Sequence, residues 1–104
     1  MAAVAMTPLA AKAEQASLLC KTTDTDEIID IVSMSGSKHA VLVQINGGKY
    51  FEGESRFEDP FFFVFVRFDQ GGLALKYNVK AEFGRVGVDL NGKRQIHPII
   101  CAFR

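Results

Sequence analysis

Leu73-Ala74-Leu75-Lys76-Tyr77-Asn78-Val79-Lys80-Ala81-Glu82-Phe83 alternates over eleven residues: Leu73, Leu75, Tyr77, Val79, Ala81 and Phe83 against Ala74, Lys76, Asn78, Lys80 and Glu82. Successive side chains of an extended chain point to opposite faces, so this period of two reads as a strand with one face in a core. Upstream, Gln70-Gly71-Gly72 is a turn, and before it Phe61 to Asp69 reads as the central strand. Phe62, Val64, Val66 and Phe68 share one face of that strand, and Phe61, Phe63 and Phe65 share the other. Two apolar faces imply burial on both sides or an exposed aromatic patch. Downstream, the parity flips at Gly84-Arg85, because Val86, Val88 and Leu90 now carry the apolar face. A bulge or bend accounts for a slip of one residue.

Two hairpin signals frame this centre. Asn46-Gly47-Gly48 and Asn91-Gly92 supply the residues that tolerate the positive φ of tight hairpins. Val41 to Ile45 precedes the first, and Lys49 to Gly53 is the returning strand, followed by a charged loop from Glu54 to Pro60. The last strand runs from Lys93 to Phe103, with Pro98 placed at an edge or bulge because it lacks an N–H. Near the start, Ser17 to Thr22 is a short strand and Thr23 to Asp26 a polar turn. Glu27 to Met34 fits a strand or a helical turn, and its three isoleucines and valine favour the strand. The sum is an all-β chain of about eight short strands, arranged as a small antiparallel meander barrel or a two-sheet sandwich.

Residues 1–13 differ in composition from the rest: small, apolar and ending in Ala11-Lys12-Ala13, a pattern cut by leader peptidases. They read as a signal-peptide remnant, although no basic segment precedes Ala2, or as a short helix with Thr7 as N-cap and Pro8 in its first turn. Residues 14–104 form one β domain. Cys20 and Cys101 match no zinc or redox spacing, and in an exported chain they pair, joining first strand to last. A barrel is closed by the same pairing of ends. The expected location is periplasmic or secreted.

Twelve basic residues balance twelve acidic ones, without a run of five like charges. Such a neutral chain lacks the net basic character that nucleic-acid binding draws on, so nucleic acid is not an expected partner. No apolar stretch approaches the roughly 18 residues of a membrane-spanning helix. The two histidines, His39 and His97, have no cysteine or carboxylate partners at ligand spacing, so neither metal nor cofactor is expected. Asp24, Asp26, Glu27 and Asp30 suggest a calcium loop, but Ile29 and Ser35 stand where its glycine and glutamate belong. Ser35-Gly36-Ser37-Lys38-His39 is not a nucleophile elbow, and no catalytic residues are assigned.

Two segments are left as candidates for binding. One is the turn holding Ser35, Gly36, Ser37 and His39; the other carries Glu52, Glu54, Arg56, Phe57 and Glu58. Aromatic side chains beside charges are typical of protein-binding loops. The plan of leader, compact antiparallel barrel and disulfide is similar to that of the small periplasmic inhibitors of c-type lysozyme. Those present a Ser-Gly-x-x-Tyr loop, and here Ser35-Gly36-Ser37-Lys38-His39 puts His39 in the tyrosine position. Their second motif, a tyrosine followed by Thr-Lys-Gly, has no counterpart, so the likeness covers architecture and two loop residues. The expected function is a non-enzymatic, exported module that binds another protein, as an inhibitor or immunity-type factor. The alternative is a carrier of a small apolar ligand in a Phe-rich barrel.

Overall fold

Every strand has two hydrogen-bonded neighbours, and the last pairs with the first. In this computed structural model, which describes residues 17–34, 36 and 39–103, the strands are β1 (Ser17–Thr22), β2 (Ile28–Ser33), β3 (Ala40–Ile45), β4 (Tyr50–Glu58), β5 (Phe61–Phe68), β6 (Gly71–Asn78), β7 (Phe83–Leu90) and β8 (Lys93–Phe103). They run in sequence order around a closed antiparallel barrel. The barrel is the realised form of the two arrangements expected. The possible leader or helix in residues 1–13 lies outside the described residues.

Alternation fills the barrel. Leu18 and Cys20 of β1, Ile29 and Ile31 of β2, and Val41 and Val43 of β3 are buried inside. Val64 and Val66 of β5, Leu73, Leu75 and Tyr77 of β6, Val86 of β7 and Ile99 of β8 complete the core. Charged residues such as Glu54, Arg56, Lys76 and Arg85 are exposed on the outside. Among the described residues no helix is long and apolar enough to cross a membrane.

The seam between β8 and β1 is bonded covalently. Cys20 and Cys101 are directly opposed across the ladder and joined by a disulfide, 81 residues apart in sequence. The Tyr77 hydroxyl donates to the Cys101 carbonyl at 3.1 Å, which satisfies a phenol whose ring is in the core. Gly84, opposite Tyr77, makes space for that ring: a Cβ there would sit 2.7 Å from Tyr77 Cα and 3.0 Å from Cδ1. Thr22, the buried polar residue, hydrogen-bonds Thr25 through Oγ1 and accepts from the Glu27 N–H at 2.8 Å.

Both Asn-Gly hairpins form, with positive φ at Asn46, Gly47, Asn91 and Gly92. Three expectations need correction. Glu54 to Glu58 is strand rather than loop, because β4 pairs with β5 as far as Glu58 opposite Phe61. Its inward positions include only Gly53 and Ser55 between Phe51 and Phe57, so no apolar alternation marks it. The eleven-residue alternation is two elements. β6 ends at Asn78, whose side-chain oxygen accepts from Lys80 N–H and Ala81 N–H, and Glu82 takes a positive φ. Asn competes with the ladder in this way because its short side chain can mimic a backbone turn. This turn, rather than a bulge at Gly84-Arg85, produces the change of parity.

Pro98 is the third correction, since a closed barrel gives it no edge. It lies opposite Arg85 of β7, one residue before Ile99, where β8 meets β7 and β1 together. Its carbonyl accepts from the Thr23 N–H at 3.0 Å, so the missing N–H falls where β8 changes neighbours.

Candidate functional site

The end of the β2–β3 connection and the middle of β4 come together on the outside of the barrel. Ser55 N–H donates to the His39 carbonyl at 2.6 Å, and Ser55 Oγ donates to the same oxygen at 3.3 Å. The His39 ring nitrogen Nδ1 lies 3.2 Å from the Ser55 carbonyl oxygen, within hydrogen-bond reach. Ala40 sits opposite Glu54 in the ladder that follows. These bonds attach the connection to a rigid strand. They enclose a small outer recess of about 230 Å³ lined by His39, Glu54, Ser55, Arg56 and Phe65.

Of the candidate residues, His39, Glu54 and Arg56 therefore share one patch. Gly36 is exposed with φ +83° and open space around it, as a turn glycine requires. Ser35 and Ser37 lie outside the described residues. Glu52, Glu54, Arg56 and Glu58 alternate outward along β4 and are exposed, with Arg56 Nη1 at 3.5 Å from Glu58 Oε2. Phe57 has the inward parity, opposite Phe62, but lies at the barrel mouth and is 56% exposed. Phe51 turns inward, where its ring meets Phe68 edge-on at 4.8 Å.

Beyond this patch the outer wall is aromatic and then cationic. Phe61, Phe63 and Phe65 follow one another along β5, with ring centroids 6.2 and 6.3 Å apart and the Phe63 and Phe65 planes within 7° of parallel. Lys76 Nζ lies 4.3 Å from the Phe61 centroid and 5.8 Å from that of Phe63. An open groove of about 780 Å³ runs over β4 to β7, floored by Gly72, Ala74 and Gly87, walled by Phe65 and Ile96, and edged by acids (Glu52, Glu54, Asp89) as well as by cations (Arg67, Lys76, Arg85, Arg94). Lys76 and Arg85 had no signal in the linear sequence. Their grouping with Phe63 depends on which residues face one another across strands.

Two carboxylates have shifted affinities for protons. The Asp89 carboxyl is held below its ordinary value by hydrogen bonds from Arg94, at 2.9 and 3.1 Å, and the Arg94 guanidinium is raised by the same contact. Asp24, in the β1–β2 turn, is lowered by its hydrogen bond to His97, whose Nδ1 is 2.8 Å away. That pair fastens the turn to β8. Among the described residues no group of three or more His, Cys, Asp or Glu is placed to hold a metal ion.

No protein-family model matches the chain, and no curated protein or solved structure matches it significantly.

Proposed function

We propose that this is an exported, non-enzymatic module that binds another protein through the outer patch of His39, Glu54 and Arg56, with Phe57 exposed at the barrel mouth. The observation that carries the reading is the clamp between His39 and Ser55, which holds the two candidate segments in one preformed surface. A surface already ordered loses little conformational entropy on docking, so more of the contact energy appears as affinity. Exposed Phe57 and Phe65 offer the aromatic anchors that dominate such interfaces, and Glu54 and Arg56 offer charges that select the partner. The Cys20–Cys101 disulfide fits an oxidising compartment, periplasmic or extracellular. An inhibitor or immunity-type role is the form this reading takes.

The carrier alternative has weaker support. Buried side chains from every strand except β4 occupy the barrel axis, and both recesses described above lie on its outside. The test is capture from envelope extract with the residue 14–104 domain as bait. A stoichiometric protein partner should be held by the unaltered domain and released by Glu54→Lys combined with Arg56→Glu, at unchanged melting temperature. Retention by that variant sends the interface elsewhere. Stoichiometric binding of an apolar dye, with no protein partner, favours the carrier.

A further inference from the structure

We infer that the outer face of β5–β7 docks against the same face of a second copy of this chain, about a two-fold axis running along β6. The inference goes beyond the protein-docking reading and does not rest on it, because it follows from the ladder register of β4 to β8 rather than from the His39 clamp.

The register sets out rows across this wall. In one, Arg67 faces Gly72, Gly72 faces Asp89 and Asp89 faces Arg94. In the next, Glu54 faces Phe65, Phe65 faces Ala74, Ala74 faces Gly87 and Gly87 faces Ile96. In the third, Arg56 faces Phe63, Phe63 faces Lys76 and Lys76 faces Arg85. The rings of β5 therefore stand as a ridge beside the groove floored by Gly72, Ala74 and Gly87. Phe65 and Ile96, its walls, are 47% and 59% exposed. A ridge next to a groove on one face is a shape that fits its own copy.

A two-fold axis along β6 keeps each row and reverses the order of strands within it, as a self-complementary interface requires. β5 of one copy then lies over β7 of the other. Phe65 enters the groove over the partner's Gly87, with the partner's Ala74 and the partner's Ile96 on either side, and the partner's Phe65 does the same in return. The space is there: a Cβ added at Gly87 would meet nothing closer than 3.9 Å. In the first row Arg67 comes over the partner's Asp89. In the third Phe63 comes over the partner's Arg85, a cation against a ring face. At the rim, where the walls curve apart, Glu52 and Glu54 lie on the side of the partner's Arg94.

Charge selects this occupant. A polyanion in the groove would meet Glu52, Glu54 and Asp89, and a polycation would meet Arg67, Lys76 and Arg85. A second copy brings the same mixture in reversed order, so opposite signs face each other in the first row. Complementary charges of this kind fix register and reject other partners. Lys76 is the exception, since the axis sets it beside its own copy. Its ammonium is drawn aside over the Phe61 ring, 4.3 Å from the centroid, and it is the contact that limits affinity.

Sedimentation equilibrium of the purified whole chain, with no other protein present, tests the pairing. A monomer–dimer equilibrium is expected, and a chain still monomeric at about 1 mM overturns the inference. Gly87→Gln fills the groove without crowding the barrel and should weaken association about tenfold or more. Phe65→Ala should weaken it by a similar factor, yet leave unfolding unchanged at concentrations where the chain is monomeric. Arg67→Glu sets acid against acid across the interface, and Asp89→Lys sets base against base, so each variant alone should be monomeric. Mixed in equal amounts they should associate, because both cross-pairs then have opposite signs. Lys76→Gln should tighten the dimer. On the unaltered chain, amide shifts that grow with concentration should map to β5 to β7, which keeps the test decisive if a variant folds poorly. A shift map confined to other strands overturns the inference. So does a dimer indifferent to Gly87→Gln or not tightened by Lys76→Gln, or a mixture of folded charge variants that stays monomeric.

Discussion

Phe62 and Phe63 are neighbours in sequence and lie on opposite sides of one wall. Phe62 turns inward beside Phe57 and Tyr77 and packs against the core; Phe63 stands outside between Arg56 and Lys76. Residue type is the same, yet the two faces obey different constraints. The inner face is limited by volume, because interiors pack near crystal density and each side chain is opposed by another. The outer face has room, as the open groove shows, and its pattern is one of rings and charges. A phenylalanine is informative about function only once its face is known.

Breaking the covalent seam should have the largest effect and should act on the inner face. With a sequence separation of 81 between its ends, the Cys20–Cys101 disulfide is expected to contribute about 4–5 kcal/mol by the chain-entropy estimate. Urea unfolding with and without reductant measures it; equal midpoints would show that the reduced barrel is closed as firmly by its hydrogen bonds. Next, Leu75→Ala, which empties a position buried at 1% exposure, should cost about 3 kcal/mol as lost transfer energy plus residual cavity. A loss much below that means the barrel collapses onto the gap.

The matching change on the outer face is Phe65→Ala, which should alter stability by no more than about 0.5 kcal/mol. A large loss there would remove the contrast between the two faces and return Phe65 to the fold. The smallest expected effect concerns acid. The Asp24 carboxyl, hydrogen-bonded to His97, titrates below the ordinary aspartate value of 3.8 in the folded state. Its contribution is therefore fully present above that value and is lost as pH falls through the lower folded one. Asp24→Asn should therefore lower stability slightly in the neutral range, flatten the acid limb, and make no difference once pH lies below the folded Asp24 value. An unchanged limb would mean that this exposed pair carries no net stability.

Much of the barrel was legible in the chain. Leu73, Leu75 and Tyr77 mark an inner face by alternation, Asn46-Gly47 and Asn91-Gly92 mark hairpins, and the terminal placement of Cys20 and Cys101 marks the seam. These signals are local, or rest on what chain ends must do in a closed sheet. The β4 strand was half hidden, because an inner face of Gly53 and Ser55 carries no apolar period. The turn at Asn78 was hidden for the opposite reason: Val79, Ala81 and Phe83 continue an alternation that the backbone abandons when the Asn78 side chain caps a turn.

The candidate patch was legible only in pieces. His39, Glu54 and Arg56 could be named as polar residues near an aromatic, but the bonds between His39 and Ser55 span 16 positions and exist only once β3 lies beside β4. The sequence by itself determined the inward side chains of the strongly alternating strands and the reversals at Asn46-Gly47 and Asn91-Gly92, since both follow from backbone geometry over a few residues. Tertiary structure alone decided who faces whom. Register is a property of pairs of strands, set by turn length and by closure of the sheet, and a slip of one residue would carry a side chain to the other face. That is why the row of Arg56, Phe63, Lys76 and Arg85 exists in the folded barrel and nowhere in the linear chain.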